Sequence, residues 1–338
     1  MTADGSERTG ILLLNLGGPW TLDGVKPFLL RLFSDRDIIP LPGGPALQGL
    51  WARLIATARA PKVRRKYAEI GGGSPLLRWT RAQADGLGRL LEGGSFATAV
   101  AMRYSEPTAA DALAELEAAG CRRIVVLPLY PQECMATTGS SLLDLERALA
   151  RRGRAFETTV IRSFHRAPGY LRAMADRVRE GLALFPEEVR EEAVILFSAH
   201  GIPLRIAATG DPYVTHVEET VRGIVEELGD EIGPHRLAYQ SRTGPVKWTG
   251  PGTADVIAEL GAEGVESVLV VAISFVSDHI ETLHEIDVEF ADLAQEAGIA
   301  HFHRAPSLND SPLFLEALRD LVVDAAQGSA SPARSVER

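Results

Sequence analysis

The stretch SDHIETLHEID, residues 277–287, sets histidines and carboxylates side by side directly after an apolar run. With Glu289 just beyond it, glutamates fall at 281, 285 and 289. Spacing of i, i+4, i+8 places all three on one face of a helix. Like charges there repel by roughly 0.2–0.5 kcal/mol per exposed pair. Glu281 in a first turn suits the helix dipole; Glu285 and Glu289 lie too far along to gain from it. Lysine and arginine are absent from 248 to 303, so nothing local neutralises the row. Such a row is either a solvated acidic face or a place for a cation. Carboxylate and imidazole together suit Fe(II), Zn or Mn and not the soft metals of thiolate sites. Asp278 and His279 stand beside the row, with Asp278 also a possible helix cap. A second reactive candidate is His200 in FSAHGIP (197–203), at the end of an apolar run and followed by Gly201 and Pro203. It is either a structural histidine bonded to a loop, or a base or metal ligand working near neutral pH.

These residues need a scaffold that brings distant segments together. Apolar β-rich runs occur at 10–16, 96–104, 122–130, 156–163, 194–200, 235–241 and 266–275, with a short one at 301–305. Helical patterns lie between them near 22–34, 108–119, 139–151, 168–184, 213–229, 253–263, 280–297 and 311–326. Continuous apolar strands alternating with amphipathic helices predict parallel sheets covered on both faces. The fold class expected is α/β: two Rossmann-like domains, each a four-stranded parallel sheet flanked by helices, with a cleft between them. The boundaries expected are 8–163, completed by a C-terminal helix at 311–326, then 164–310, then a disordered tail from 328. No sequence repeat links the halves. Ligands in such folds bind beyond the carboxyl ends of strands. LNLGGP, RYSEP and YPQECMATTGSS occupy those positions in the first half, and FSAHGIP, QSRTGPVKW and SFVSDHIE in the second.

Residues 38–68 contain no acid but hold Arg53, Arg59, Lys62, Arg64, Arg65 and Lys66. Within them Leu47, Leu50, Trp51, Leu54 and Ile55 recur at helical spacing. This is either an ordinary core helix or an apolar flap with a basic rim, suited to a greasy anionic ligand or an anionic membrane surface. The glycine-rich pieces LGGP and IGGGSP fit neither a dinucleotide fingerprint nor a P-loop, so no nucleotide site is expected. The chain has 338 residues, 46% apolar and 24% charged, with a formal charge of −10. An acidic balance argues against nucleic-acid binding. The polar start shows no secretory signal and no apolar run is long enough to span a bilayer. A cytoplasmic protein is expected, with a possible peripheral membrane contact through 45–58.

From about Leu12 to Leu318 the chain resembles the ferrochelatases, which insert Fe(II) into a porphyrin. The resemblance is carried by LLNLGGP, FLLRLFSDRDII, IGGGSP, YPQ…TTGSS, SFHRAPGY, FSAHGIP, GDPY, QSRTGP, SDHIETLHEID and SLNDSPLF. It implies that His200 and Glu281 are the catalytic and metal-site pair, facing each other across the porphyrin. Glu285 and Glu289 continue an acidic ladder, with His279 and Asp278 beside it. The resemblance further implies that Leu16, Arg103 and Tyr104 flank the macrocycle on the opposite wall. Arg59, Lys62, Tyr67 and Ser74 match the porphyrin mouth, where several meet the propionates. Phe275 and Trp248 match pocket aromatics, and 45–58 matches the lip over the porphyrin.

The reaction so implied consumes porphyrin and ferrous iron and needs no redox cofactor or nucleotide. Protoporphyrin IX is the expected substrate, favoured by the tryptophan-bearing apolar lip. Coproporphyrin III is the alternative, and a non-catalytic tetrapyrrole- or metal-binding protein is a third. Some members of the family carry a [2Fe–2S] cluster on four cysteines. Here Cys134 stands near the isolated ligand position and the only other cysteine is Cys121, so no cluster is expected.

Overall fold

The computed structural model describes residues 8–36, 38–91, 95–152, 156–242, 244 and 246–328. The tail expected to be disordered lies, beyond Gly328, outside them, as do Asp37, Thr243 and Pro245 of the quoted motifs. The chain divides into two compact units. Unit 1 takes its residues from Met1–Tyr130, Met135–Phe164 and Phe314–Arg338; unit 2 from Pro131–Cys134 and His165–Leu313.

Unit 1 is built on strands β1 (Thr9–Asn15), β2 (Phe96–Met102), β3 (Arg123–Pro128) and β4 (Glu157–Val160), in the order β2-β1-β3-β4. Unit 2 repeats that order with β5 (Val194–His200), β6 (His235–Gln240), β7 (Ser267–Ala272) and β8 (His301–Arg304), arranged β6-β5-β7-β8. All pairings are parallel. The apolar stretches of the central strands are buried because ILLL, IVVL, VILF and VLVV must bury both faces once helices cover the sheet. In unit 1 Leu12, Leu14 and Val126 pack under Leu113 and Leu116 of helix Ala109–Ala118. In unit 2 Leu196 and Val270 pack under Ile257 and Leu260 of helix Thr253–Ala262.

Three helical features differ from the sequence expectations. Helix Leu76–Leu90 was not foreseen; its apolar residues are broken up by arginines and glycines, and Gly86 sits where a β-carbon would strike Leu315. Helix Gly44–Glu69 runs for 26 residues and turns its large apolar side chains outward. Leu47, Leu50, Trp51 and Leu54 are 39–55% exposed, while Gln48, Ala52 and Ala56 are buried. Gln48 fixes that orientation by donating to the Phe33 and Ile39 carbonyls and accepting from Leu41 N–H. Finally, Glu281–Phe290 is a π-helix, continued by α-helix Ala291–Glu296. A shorter π-helical turn, Met135–Gly139, precedes helix Ser140–Ala150 in unit 1. No helix among the described residues is long and apolar enough to cross a membrane.

Candidate functional site

β5 delivers His200 to its carboxyl end, where it is the register partner of Gln240 on β6. Gly201 follows because a β-carbon there would lie 2.8 Å from the Gln240 carbonyl oxygen. The His200 backbone is fixed from both sides: its N–H donates to Ser274 Oγ, and Tyr213 Oη donates to its carbonyl at 2.8 Å. Segment 274–280, leaving β7, brings the π-helix to the same strand end. There the His200 Nδ1–Glu281 Oε2 distance is 2.9 Å, with His279 Nε2 at 3.7 Å from the same oxygen. Phe275 stands edge-on to His200 and against the His279 ring, with centroids 6.0 and 4.3 Å away. The His279 Nδ1–H donates to the Ser277 carbonyl, which turns Nε2 toward Glu281.

This contact corrects one expectation. A flat ring held between two groups needs roughly 7 Å, two van der Waals separations of about 3.5 Å. His200 and Glu281 are hydrogen-bonded, so they form one wall and do not face each other across a macrocycle. Their side chains keep 36% and 26% exposure, enough to meet a ligand.

The electrostatics follow from that pairing. Burial alone would raise the Glu281 carboxyl, but the His200 charge and hydrogen bonds from His200 and His279 hold it well below the usual carboxylate range. Burial opposes charging of His200, yet Glu281 and Glu285 raise it above an ordinary histidine. Glu285 moves the other way: burial and the negative charge of Glu281 raise it, against donors from Ser241 and Gln240. The glutamates that looked equivalent in sequence are therefore shifted in opposite directions. All three glutamates of the row lie on this one π-helix. Glu281 is the more enclosed and Glu289 reaches the surface at 42% exposure, with His284 Nδ1 3.8 Å from it.

Asp278 is not part of this row. Arg304, one residue past the cation-free window, pairs with it at 3.2 Å, and Asn309, Ser307 and Thr282 donate to it. Arg304 also holds Asp287. The acids of 277–287 thus divide into Asp278 and Asp287, held by Arg304, and Glu281 and Glu285, met by imidazole, hydroxyl and amide groups. Trp248 lines a cavity of about 560 Å³ with Gln240, Ser241 and Glu285.

The remaining expected residues lie on unit 1. Leu16 follows β1, and its carbonyl accepts from Tyr104 N–H. Arg103 and Tyr104 follow β2 and close over a buried carboxylate absent from the expected site, Asp35. Arg103 pairs with it, Tyr104 Oη donates to it at 2.8 Å and Ser140 Oγ at 3.1 Å. Burial pushes the Tyr104 hydroxyl upward, so it stays protonated as a donor. Arg103 and Asp35 are 12% and 4% exposed. Tyr67 and Ser74 converge on Gly18, where a β-carbon would lie 2.6 Å from Ser74 Cβ. Arg59 and Lys62 are exposed, with Arg59 over the Phe33 ring. Gln240, Ser241, Tyr213, Ser274 and Asp35 were missed as functional residues, although Gln240, Ser241, Tyr213 and Asp35 lie in the QSRTGP, GDPY and FSDRD motifs. No group of three or more His, Cys, Asp or Glu among the described residues is arranged to hold a metal.

The family model for ferrochelatase matches residues 8–326. A ferrochelatase of Geobacter metallireducens is 51% identical over 318 residues, covering 94% of this chain and 98% of its own. One from Synechocystis is 47% identical over 322 residues, covering 94% and 82%. Among solved structures, SirB from Bacillus subtilis with Fe3+ superposes with a TM-score of 0.58 over 95% of this chain and 97% of its own; at 14% identity this speaks for the fold alone. The chain belongs to the ferrochelatase family.

Proposed function

We propose that the chain inserts Fe(II) into protoporphyrin IX to give protohaem, with His200 and Glu281 as its reacting pair. The observation that carries this is the 2.9 Å contact between a histidine at a strand end and a carboxylate held ionised. Insertion replaces two pyrrole protons by one Fe2+, so the site must accept protons where iron arrives. With Nδ1–H donated to Glu281, the other ring nitrogen of His200 is the base for a pyrrole proton, and the carboxylate stabilises the imidazolium that forms. Bending the macrocycle exposes its nitrogen lone pairs, a use of binding energy on geometry. Glu285 and Glu289 then pass cations or protons between Glu281 and the surface.

Leu16, Arg103, Tyr104, Trp248 and Phe275 contact the macrocycle in this reading, and Arg59, Lys62, Tyr67 and Ser74 serve its propionates. The outward Leu47, Leu50, Trp51 and Leu54 favour a porphyrin bearing apolar vinyl groups over one with four propionates, and a peripheral membrane contact for the same helix. The test is anaerobic incubation with Fe(II) and either protoporphyrin or coproporphyrin III, followed by absorbance of the metallated product. Faster turnover of protoporphyrin is expected. Faster coproporphyrin turnover overturns the substrate, and no turnover of either overturns the activity.

A further inference from the structure

We infer that Ser241 and Gln240 are positioning residues for iron, holding Glu285 as a fixed anion one step behind Glu281. This rests on the iron-handling role proposed above for Glu281. Glu285 Oε1 accepts from Ser241 N–H at 2.8 Å, and Oε2 accepts from both Ser241 Oγ and Gln240 Nε2. All three partners can donate, which suits an ionised carboxylate. Gln240 is itself locked: its Oε1 accepts from buried Ser198 Oγ at 2.7 Å, and its Nε2 also reaches the Glu281 carbonyl. One amide therefore ties the backbone of the first glutamate to the carboxylate of the second. Glu281, by contrast, has the imidazoles of His200 and His279 at its carboxylate.

The backbone of Ser241 adds a second, independent observation. Its φ is +64°, in the left-handed region that residues other than glycine avoid. In that conformation its N–H and its hydroxyl reach the two oxygens of one carboxylate. Strain of this kind persists where the surroundings enforce it, and it gathers at functional sites. A glycine would hold the same backbone at lower cost and keep the N–H. What the serine adds is its hydroxyl on Glu285.

A fixed anion behind Glu281 draws a cation to it without competing for the porphyrin. Loss of the hydroxyl should therefore act on iron and not on the macrocycle. Ser241→Gly is expected to raise KM for Fe(II) about tenfold, the lower range for removing an outer partner of a metal ligand. KM for porphyrin stays as in wild type, and Tm stays equal or rises as the strain is relieved. Ser241→Ala shows the same KM split with Tm equal or lower. Wild-type KM for iron in both variants overturns the inference; so does a parallel rise of both KM values with a fall in Tm, which marks a merely structural role. Glu281→Gln, run alongside, separates the two proposals. If it turns over normally, the role of Glu281 fails; if it is inactive while Ser241→Gly handles iron as wild type does, only the positioning role fails.

Discussion

The two units share one strand order and differ in what stands at the ends of their strands. In unit 1 the central strand ends in Asn15, whose side chain is spent on Thr80 and on Leu16 N–H. The neighbouring strand leads to Arg103 and Tyr104, which converge on Asp35. In unit 2 the central strand ends in His200, the neighbouring one in Gln240, and the third leads into the glutamate-bearing π-helix. Unit 1's own π-helical turn, in the equivalent place, is half as long and carries no acid. Both ends are rich in hydrogen bonds, but they use them differently. Around Asp35 every observed partner neutralises or buries charge. At Glu281 the partners shift a partly exposed carboxylate and imidazole in opposite directions, the mark of a site that handles protons or cations. The same scaffold thus yields a brace in one unit and a reactive pair in the other.

The largest expected effects set the units against each other. His200→Ala should lower kcat by 10²- to 10⁴-fold, the range for removing a general base, with Tm close to wild type because the ring is part-exposed. Asp35→Asn should do the reverse. It leaves Arg103 with less counter-charge in a buried setting, at a cost of about 3–5 kcal/mol, so Tm should fall by roughly 10 °C. Thermal denaturation beside steady-state kinetics decides both. If Asp35→Asn kept its Tm while losing turnover, the brace would be part of the reactive machinery and the contrast would collapse.

A smaller effect concerns pH. His200 is raised above its ordinary 6.5, so its contribution to stability is complete below 6.5 and is lost as pH rises through the higher folded value. Glu281 is depressed, so its contribution is present above 4.5 and is lost as pH falls through the lower folded value. The pair therefore stabilises the fold most between those ordinary values. A base must be unprotonated, so kcat/KM should rise with pH through a midpoint above 6.5. Glu281→Gln removes the charge that raises His200, and in whatever activity remains that midpoint should move down. A midpoint that stays put would show that Glu281 does not tune His200.

How far the sequence foretold this differs by kind of feature. Strands such as VILFSAH were legible because a doubly covered parallel strand must be continuously apolar, and that condition is local. The Glu281–His200 pairing was legible only through its position at strand ends and through resemblance, since 81 residues separate the partners. Asp35 was invisible for the same reason: Arg103 and Ser140 lie 68 and 105 residues away. Spacing in fours suited an α-helix as well as the π-helix, so the winding could not be read. Asp278 looked like a ladder member because the window without cations stopped one residue short of Arg304. In helix Gly44–Glu69 periodicity located the apolar stripe without revealing its direction; small alanines and one glutamine form the buried side, and no count of apolar residues finds them.

That stripe supplies the smallest expected effect and the sharpest check on unit 1. Trp51 and Leu54 are 39% and 53% exposed, so neither helps fill the core. Trp51→Glu and Leu54→Glu should each change stability by no more than about 0.5 kcal/mol, a Tm shift under roughly 2 °C. A buried apolar residue replaced by a charge would cost several times that. The same variants should lose binding to anionic phospholipid vesicles if the outward helix rests on a membrane, because each substitution removes apolar area and adds a repelled charge beside a basic rim. A fall of several degrees would mean that unit 1 hides this face against something in solution. An unchanged Tm with unchanged vesicle binding would leave the stripe to the substrate alone, and then KM for protoporphyrin is the quantity that must rise.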